Sequence, residues 1–174
     1  MARFFHFRTT NGVFVILSAG LVEEDRIVAG ARTRLSDLMP RLPDLIEFPA
    51  LKRPRRPNNW LVAPDGFAGT VHVDAAAPVY DKSPKQVFDS VMDLILKRLE
   101  WRLRASDPDT LRISFVAVTP VLKFKDDVFV QAVPVEGETG RSSIAVYSAS
   151  RIGYSDLGTN QKRVNELLGL IDAH

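Results

Sequence analysis

Apolar and polar positions alternate most clearly in the second half of the chain. Leu111, Ile113, Phe115 and Ala117 recur at every second position, which puts them on one face of a strand spanning residues 111–119. Residues 101–105 alternate in the same way on the other side of an Asp107-Pro108-Asp109 turn. Residues 127–135 read as the next strand. The loop Glu136-Gly137-Glu138-Thr139-Gly140 returns the chain into a strand at 142–149, with Ile144, Val146 and Ser148 on one face. Two segments change to the helical period. Ser83-Pro84-Lys85-Gln86 is a helix start: Ser83 caps, Pro84 takes the first helical position, and Gln86 completes a capping box. That helix runs to about Leu99, burying Val87, Val91, Leu94, Ile95 and Leu99 with help from Phe88 and Met92, and Lys97 and Arg98 suit its C-terminal dipole. A last helix carries Val164, Leu167, Leu168 and Ile171 on one face.

The first half is less regular. Residues 12–22 are apolar, shorter than the roughly 20 residues needed to span a bilayer. A buried strand at 13–17 is favoured over a signal-peptide core, with a turn at Ala19-Gly20. Glu23-Glu24-Asp25-Arg26 follows as an exposed turn. Pro40, Pro43, Pro49, Pro54 and Pro57 argue against long helices, leaving room for a short one at 36–39. Lys52-Arg53-Pro54-Arg55-Arg56 is an extended basic run, read first as a solvated linker and second as a contact for anionic lipid or nucleic acid. Residues 58–64 lie across the domain with Trp60 as anchor, Pro64-Asp65-Gly66 is a turn, and 70–74 is a candidate strand holding His72 as a structural residue.

From Thr70 onward the order is strand, helix, four strands, helix. Sequential strands with hairpin links make an antiparallel meander, and two helices must cover one of its faces. The expected class is α+β, of helix-grip or TATA-binding-protein-like type. An irregular proline-rich N-terminal arm (1–56) precedes an α+β domain (57–174).

Composition narrows the chemistry. The 174 residues are 45% hydrophobic and 25% charged, which suits a globular protein with a formed core. A net charge of +2 is only mildly basic and does not by itself argue for nucleic acid, which is not the expected partner. With no cysteine, thiol catalysis, disulfides and cysteine-zinc sites are excluded. A Ser-His-Asp triad is not expected, since the only histidines are His6, His72 and His174 and none lies within 150–163, and no GxSxG, Walker A or GxGxxG motif is present. Asp126-Asp127 is the sole paired-carboxylate hint for a metal. Neighbouring strand residues point to opposite faces, so the expectation is one aspartate ending a turn and one exposed. No cofactor, metal or catalytic residue is assigned.

The segment 150–163 stands out between the last strand and the last helix. Gly153 and Gly158 permit backbone angles closed to other residues. Ser155 and Asp156 can accept from free N–H groups at the helix start, itself an anion-binding position. Arg151 and Arg163 either serve an anion or pair with Asp156, and a turn at Gly153 brings Arg151 back toward Asp156. The candidate ligand-binding residues are Ser150, Arg151, Tyr154, Ser155, Asp156, Asn160 and Arg163.

The run Ser150-Arg151-x-Gly153-Tyr154-Ser155-Asp156-x-Gly158-x-Asn160-x-x-Arg163 resembles the C-terminal signature of a bacterial and plastid family, domain-of-unknown-function family fourteen ninety-nine. Arg56-Pro57-Asn58-Asn59-Trp60-Leu61-Val62-Ala63-Pro64 and Asp126-Asp127-Val128 are similar to further pieces of it. The resemblance covers about 57–171 and implies the extent of the domain; the family brings no activity with it. Many members carry an N-terminal anchor or export signal, and this chain departs from them there. A cytoplasmic or membrane-peripheral location is expected, with the periplasm left open.

The leading functional expectation is a non-enzymatic binding or interaction domain at a membrane surface. Its small amphipathic or anionic ligand would sit between the curved sheet and a helix, and Lys52, Arg53, Arg55 and Arg56 would meet anionic lipid. One alternative is an enzyme with an arginine–aspartate site in 150–163. The other is an accessory subunit of a larger complex, docking to a protein partner through its arm.

Overall fold

A computed structural model describes residues 43–120 and 123–174. The expected strand at 13–17, the turn after it, the signal-core alternative and the helix at 36–39 lie outside the described residues.

The meander follows the alternation. Strands β4 (Trp101–Asp107), β5 (Arg112–Val118), β6 (Lys125–Pro134) and β7 (Ser142–Ser150) pair in sequence, each antiparallel to the next. Three short strands come earlier: β1 (Asn59–Ala63), β2 (Ala75–Ala76) and β3 (Val79–Tyr80). The sheet order is β2-β1-β7-β6-β5-β4, with β3 also on β7, and only β1–β2 is parallel. The chain is thus an α+β protein with a mostly antiparallel, open seven-stranded sheet.

Two expectations change here. Residues 58–64 do more than lie across the domain, since β1 extends the sheet by pairing Trp60 with Ser148 and Leu61 with Tyr147. The expected strand at 70–74 is absent, because residues 65–71 form consecutive turns and the extended backbone begins at Ala75. The carboxylate of Asp74 instead accepts from the Leu61 N–H at 2.7 Å.

Helix α1 (Pro84–Lys97) begins with the anticipated capping box: Ser83 Oγ accepts from Gln86 N–H, and Gln86 Oε1 accepts from Ser83 N–H at 2.8 Å. It ends two residues short of Leu99, which is 96% exposed rather than buried. Arg98 already has extended angles, so the helical stripe stops at Ile95. Helix α2 (Thr159–Ala173) buries Val164, Leu167 and Ile171. Both helices cover the same sheet face, where Ile113, Phe115, Val128, Val130, Ile144 and Val146 meet them.

The opposite face has its own core. Phe129, Ala145, Tyr147 and Ala149 alternate with the helix-facing residues of the same strands, and Ile46, Phe48 and Leu51 cover them together with Ala68. A 3-10 turn at Phe48–Ala50 seats Phe48 at 0% exposure. Being covered on both sides explains why β7 is buried along nearly its whole length.

Candidate functional site

The 150–163 segment is laid out by strand alternation. Ser148 and Ser150 face α2, so Ala149 and Arg151 point to the opposite face. The same rule splits Asp126 and Asp127 at the start of β6. Both aspartates are 2% exposed, which corrects the expectation of one turn-ending and one exposed carboxylate. Each is buried because the segment supplies it with an arginine.

On the helix face, Arg163 Nη2 donates to Asp126 Oδ2 at 2.6 Å, and Arg163 Nη1 donates to Asn160 Oδ1 and Ser148 Oγ at 2.7 and 3.0 Å. Ser148 Oγ–H donates to the same Asn160 oxygen at 2.6 Å. The Asn160 amide donates to Asn58 O, Ser150 Oγ and Asp156 Oδ2. On the other face, Arg151 grips Asp127 with two bonds, Nε to Oδ2 at 3.0 Å and Nη2 to Oδ1 at 2.5 Å. Arg104 reaches the same Oδ1 at 3.4 Å and Asp44 at 2.8 Å. A register shift between Leu103 and Ala105 leaves Arg104 as the extra residue of a bulge, which re-aims its side chain.

The anticipated Arg151–Asp156 pair does not form. Alternation sends Arg151 to the arm face, while the turn at Gly153 (φ 92°) returns the chain to the helix face. There Asp156 serves the start of α2: Oδ1 accepts from Gly158 N–H at 3.0 Å and Oδ2 from Asn160 N–H at 2.8 Å. Two of the N–H groups at that start are therefore met by the chain's own carboxylate, and Thr159 N–H is met by Asp156 O. Ser155 Oγ accepts from Leu157 N–H at 3.3 Å. Among the described residues the only buried polar side-chain atom without a partner is Trp60 Nε1, so the network itself is complete.

Asn58 ties the network to the start of β1. Its amide donates to Gly153 O at 2.9 Å, its carbonyl accepts from Ser150 N–H at 2.9 Å, and Pro57 O accepts from Asp156 N–H at 3.4 Å. Asn59 works in the opposite direction, donating to Arg56 O at 2.8 Å and accepting from Arg53. Arg53 also donates to His72 O at 2.8 Å and pairs with Asp74 at 2.5 Å. One member of the basic run is thereby committed inside the fold.

An open cleft of about 470 Å³ lies at this end of the sheet. Its apolar walls are Pro120, Phe124, Ile152 and Leu157, with Thr119, Ser155 and Thr159 adding hydroxyls. Of the seven candidates, Ser150, Ser155 and Asp156 line it. Arg151, Asn160 and Arg163 stand behind it in the buried network, and Tyr154 projects outward at 72% exposure. The space foreseen between sheet and last helix is filled, since Val164 and Ile171 are fully buried there. Sequence reasoning missed the Thr119–Pro120–Phe124 wall and Asn58; two adjacent asparagines before a strand were the available signal for the latter. No three of His, Asp and Glu gather where a metal could be held among the described residues.

The model of a family described as "Protein of unknown function (DUF1499)" matches residues 52–171. The chain belongs to this family. The matched stretch includes Asn58, both aspartates of β6 and the whole 150–163 segment, so every member of the buried network lies inside the DUF1499 region. No curated protein is significantly similar to the chain. Among the described residues no helix is long and apolar enough to cross a membrane.

Proposed function

We propose that this DUF1499 protein is a non-enzymatic binding domain whose cleft at the 150–163 segment takes a small amphipathic molecule of no net negative charge. The observation that carries the reading is a division of labour within the segment. Its Arg151, Asp156, Asn160 and Arg163 are spent on one another, on Asp126 and Asp127 and on the start of α2. Two carboxylates, Asp126 and Asp156, also line the cleft but are held by Arg163 and by the start of α2, and the other side chains facing it are apolar or hydroxyl-bearing. A concave apolar surface with a few fixed polar groups is the usual composition of a small-molecule site. An anion would find Arg151 and Arg163 already paired, and drawing Arg163 away would strand the buried carboxylate of Asp126. In this reading Asn160, Arg163 and Asp156 position the loop, and Ile152, Ser155, Leu157 and Thr159 meet the ligand.

Native mass spectrometry of the purified chain, joined to titration with the neutral apolar dye N-phenylnaphthylamine, tests this. The expected result is a retained small molecule or saturable dye binding. Ile152→Glu, which sets a charge on the apolar wall, should weaken that binding roughly tenfold or more with the denaturation midpoint unchanged. Equal dye binding by wild type and Ile152→Glu, or no binding by either, would end the proposal.

A further inference from the structure

We infer that the end of the sheet bearing the cleft is a docking surface for an anionic lipid membrane. This goes beyond the cleft reading and does not rest on it. The ladder pairs Trp101 with Ala117, Val118 with Lys125, Asp126 with Ser150 and Asn59 with Ala149, so the loops next to these residues share one end of the molecule. Those loops carry Leu99 at 96% exposure, Leu157 at 91%, Tyr154 at 72% and Phe124 at 46%. Leu96, at 70%, sits on the last turn of α1, which leads into them. Val79 is the only other large hydrophobic residue exposed among those described. Pro120 lines both the cleft and a second depression that includes Leu99 and Lys123, which joins the apolar tips into one surface.

Isolated exposed leucines are ordinary; several gathered on adjoining loops mark an interaction site. Leu157 sharpens the point. Its backbone is left-handed at φ 53°, a conformation that favours glycine or asparagine, and burial of the side chain does not offset that strain.

Charge indicates what covers the surface. Exposed Arg102 and Lys123 share a depression with Leu99, beside Glu100, and Arg55 and Arg56 are exposed on the segment that leads into β1 at the same end. The far end of the sheet exposes Asp81, Asp109, Glu136 and Glu138, with Arg141 paired to Asp81 and Glu138, so acids outnumber the basic group there. A molecule polarised in this way orients its basic end toward a negative surface. Apolar loop tips within a basic ring suit a bilayer interface, where the tips enter the acyl boundary and the cations meet headgroup phosphates. Arg53 takes no part, being held by Asp74.

Cosedimentation with vesicles of phosphatidylcholine alone, and of phosphatidylcholine mixed with phosphatidylglycerol, tests the inference. The wild-type chain should pellet with the anionic vesicles at low salt, be released by high salt, and remain in solution with the neutral ones. Arg55→Gln/Arg56→Gln/Lys123→Gln should weaken binding by about fivefold per charge removed. Leu99→Ser/Tyr154→Ser, at two positions outside the cleft walls, should weaken it by roughly fivefold or more and leave dye binding intact. That contrast keeps this inference separable from the cleft reading. No pelleting with anionic vesicles at low salt overturns it. So does binding that Leu99→Ser/Tyr154→Ser leaves unchanged, which would reduce the effect to diffuse charge. Self-association without vesicle binding, lost in that same double variant, overturns it in favour of a second copy of the chain.

Discussion

Asp126 and Asp127 are neighbours in sequence, equally buried and each held by an arginine of the same segment, yet their surroundings differ. Asp126 lies on the face covered by two regular helices. There Arg163 is its ion-pair partner and is itself fixed by Ser148 and Asn160. Asp127 lies on the face covered by irregular chain, and it has two guanidiniums, Arg151 close and Arg104 farther off. Among the described residues the helix-side pair has one cation, Arg163, on its carboxylate. The arm-side pair has redundancy and a path to the surface through Asp44, whose side chain is 75% exposed. A buried carboxylate is costly to strand, so the number of cations within reach decides what each arginine is worth.

The largest expected effect follows from the side without redundancy. Arg163→Ala leaves Asp126 buried and unpaired and should cost about 3–5 kcal/mol by chemical denaturation. A loss under about 1 kcal/mol would show that water or another group reaches the carboxylate, and the contrast would collapse. Arg151→Ala should cost less, about 1–3 kcal/mol, because Arg104 remains beside Asp127. The backup is exposed by combining changes: Arg104→Ala/Arg151→Ala should cost more than the two single changes added together. Additive costs within about 0.5 kcal/mol would mean that Arg104 gives no cover.

A smaller effect, set by pH, is expected from both faces. Tyr147 belongs to the arm-side core and Tyr80 to the helix-side core. Burial raises the pKa of both phenols, Tyr147 to about 12, with the negative charge of Asp172 adding to the shift at Tyr80. The fold favours the protonated phenol, so this stability is intact below the unfolded value near pH 10 and is lost as pH rises toward 12. Tyr147→Phe should therefore flatten the alkaline loss of stability seen in denaturation midpoints. An unchanged slope between wild type and Tyr147→Phe would remove Tyr147 as its source.

Local signals in the sequence carried much of the fold. The capping box at Ser83, the helical stripe of Val164, Leu167 and Ile171, and the two-residue alternation of Leu111 to Ala117 are read within a few turns or pleats of chain. Alternation alone also placed Asp126 and Asp127 on opposite faces. Leu99 shows the limit of the same reasoning, because apolar periodicity continues past the point where the helix stops.

The site was legible as a segment but not as an arrangement. Gly153, Asp156 and Gly158 announced a constrained strand-to-helix corner, and the structure has one. The partners of its arginines were hidden, since Asp127 lies 24 residues from Arg151 and Asp126 lies 37 from Arg163. So were Asn58, 102 residues from Asn160, and the β1 pairing that brings it there. The sequence by itself determined the two helices, the capping box at Ser83, the four-strand meander and which residues of its strands share a face, because those depend on backbone geometry repeated over short spans. Only the tertiary structure decided which charges meet, that residues 46–51 close the second face, and that the open space lies at the end of the sheet. Those outcomes depend on which distant strands come into register, and no local pattern encodes that.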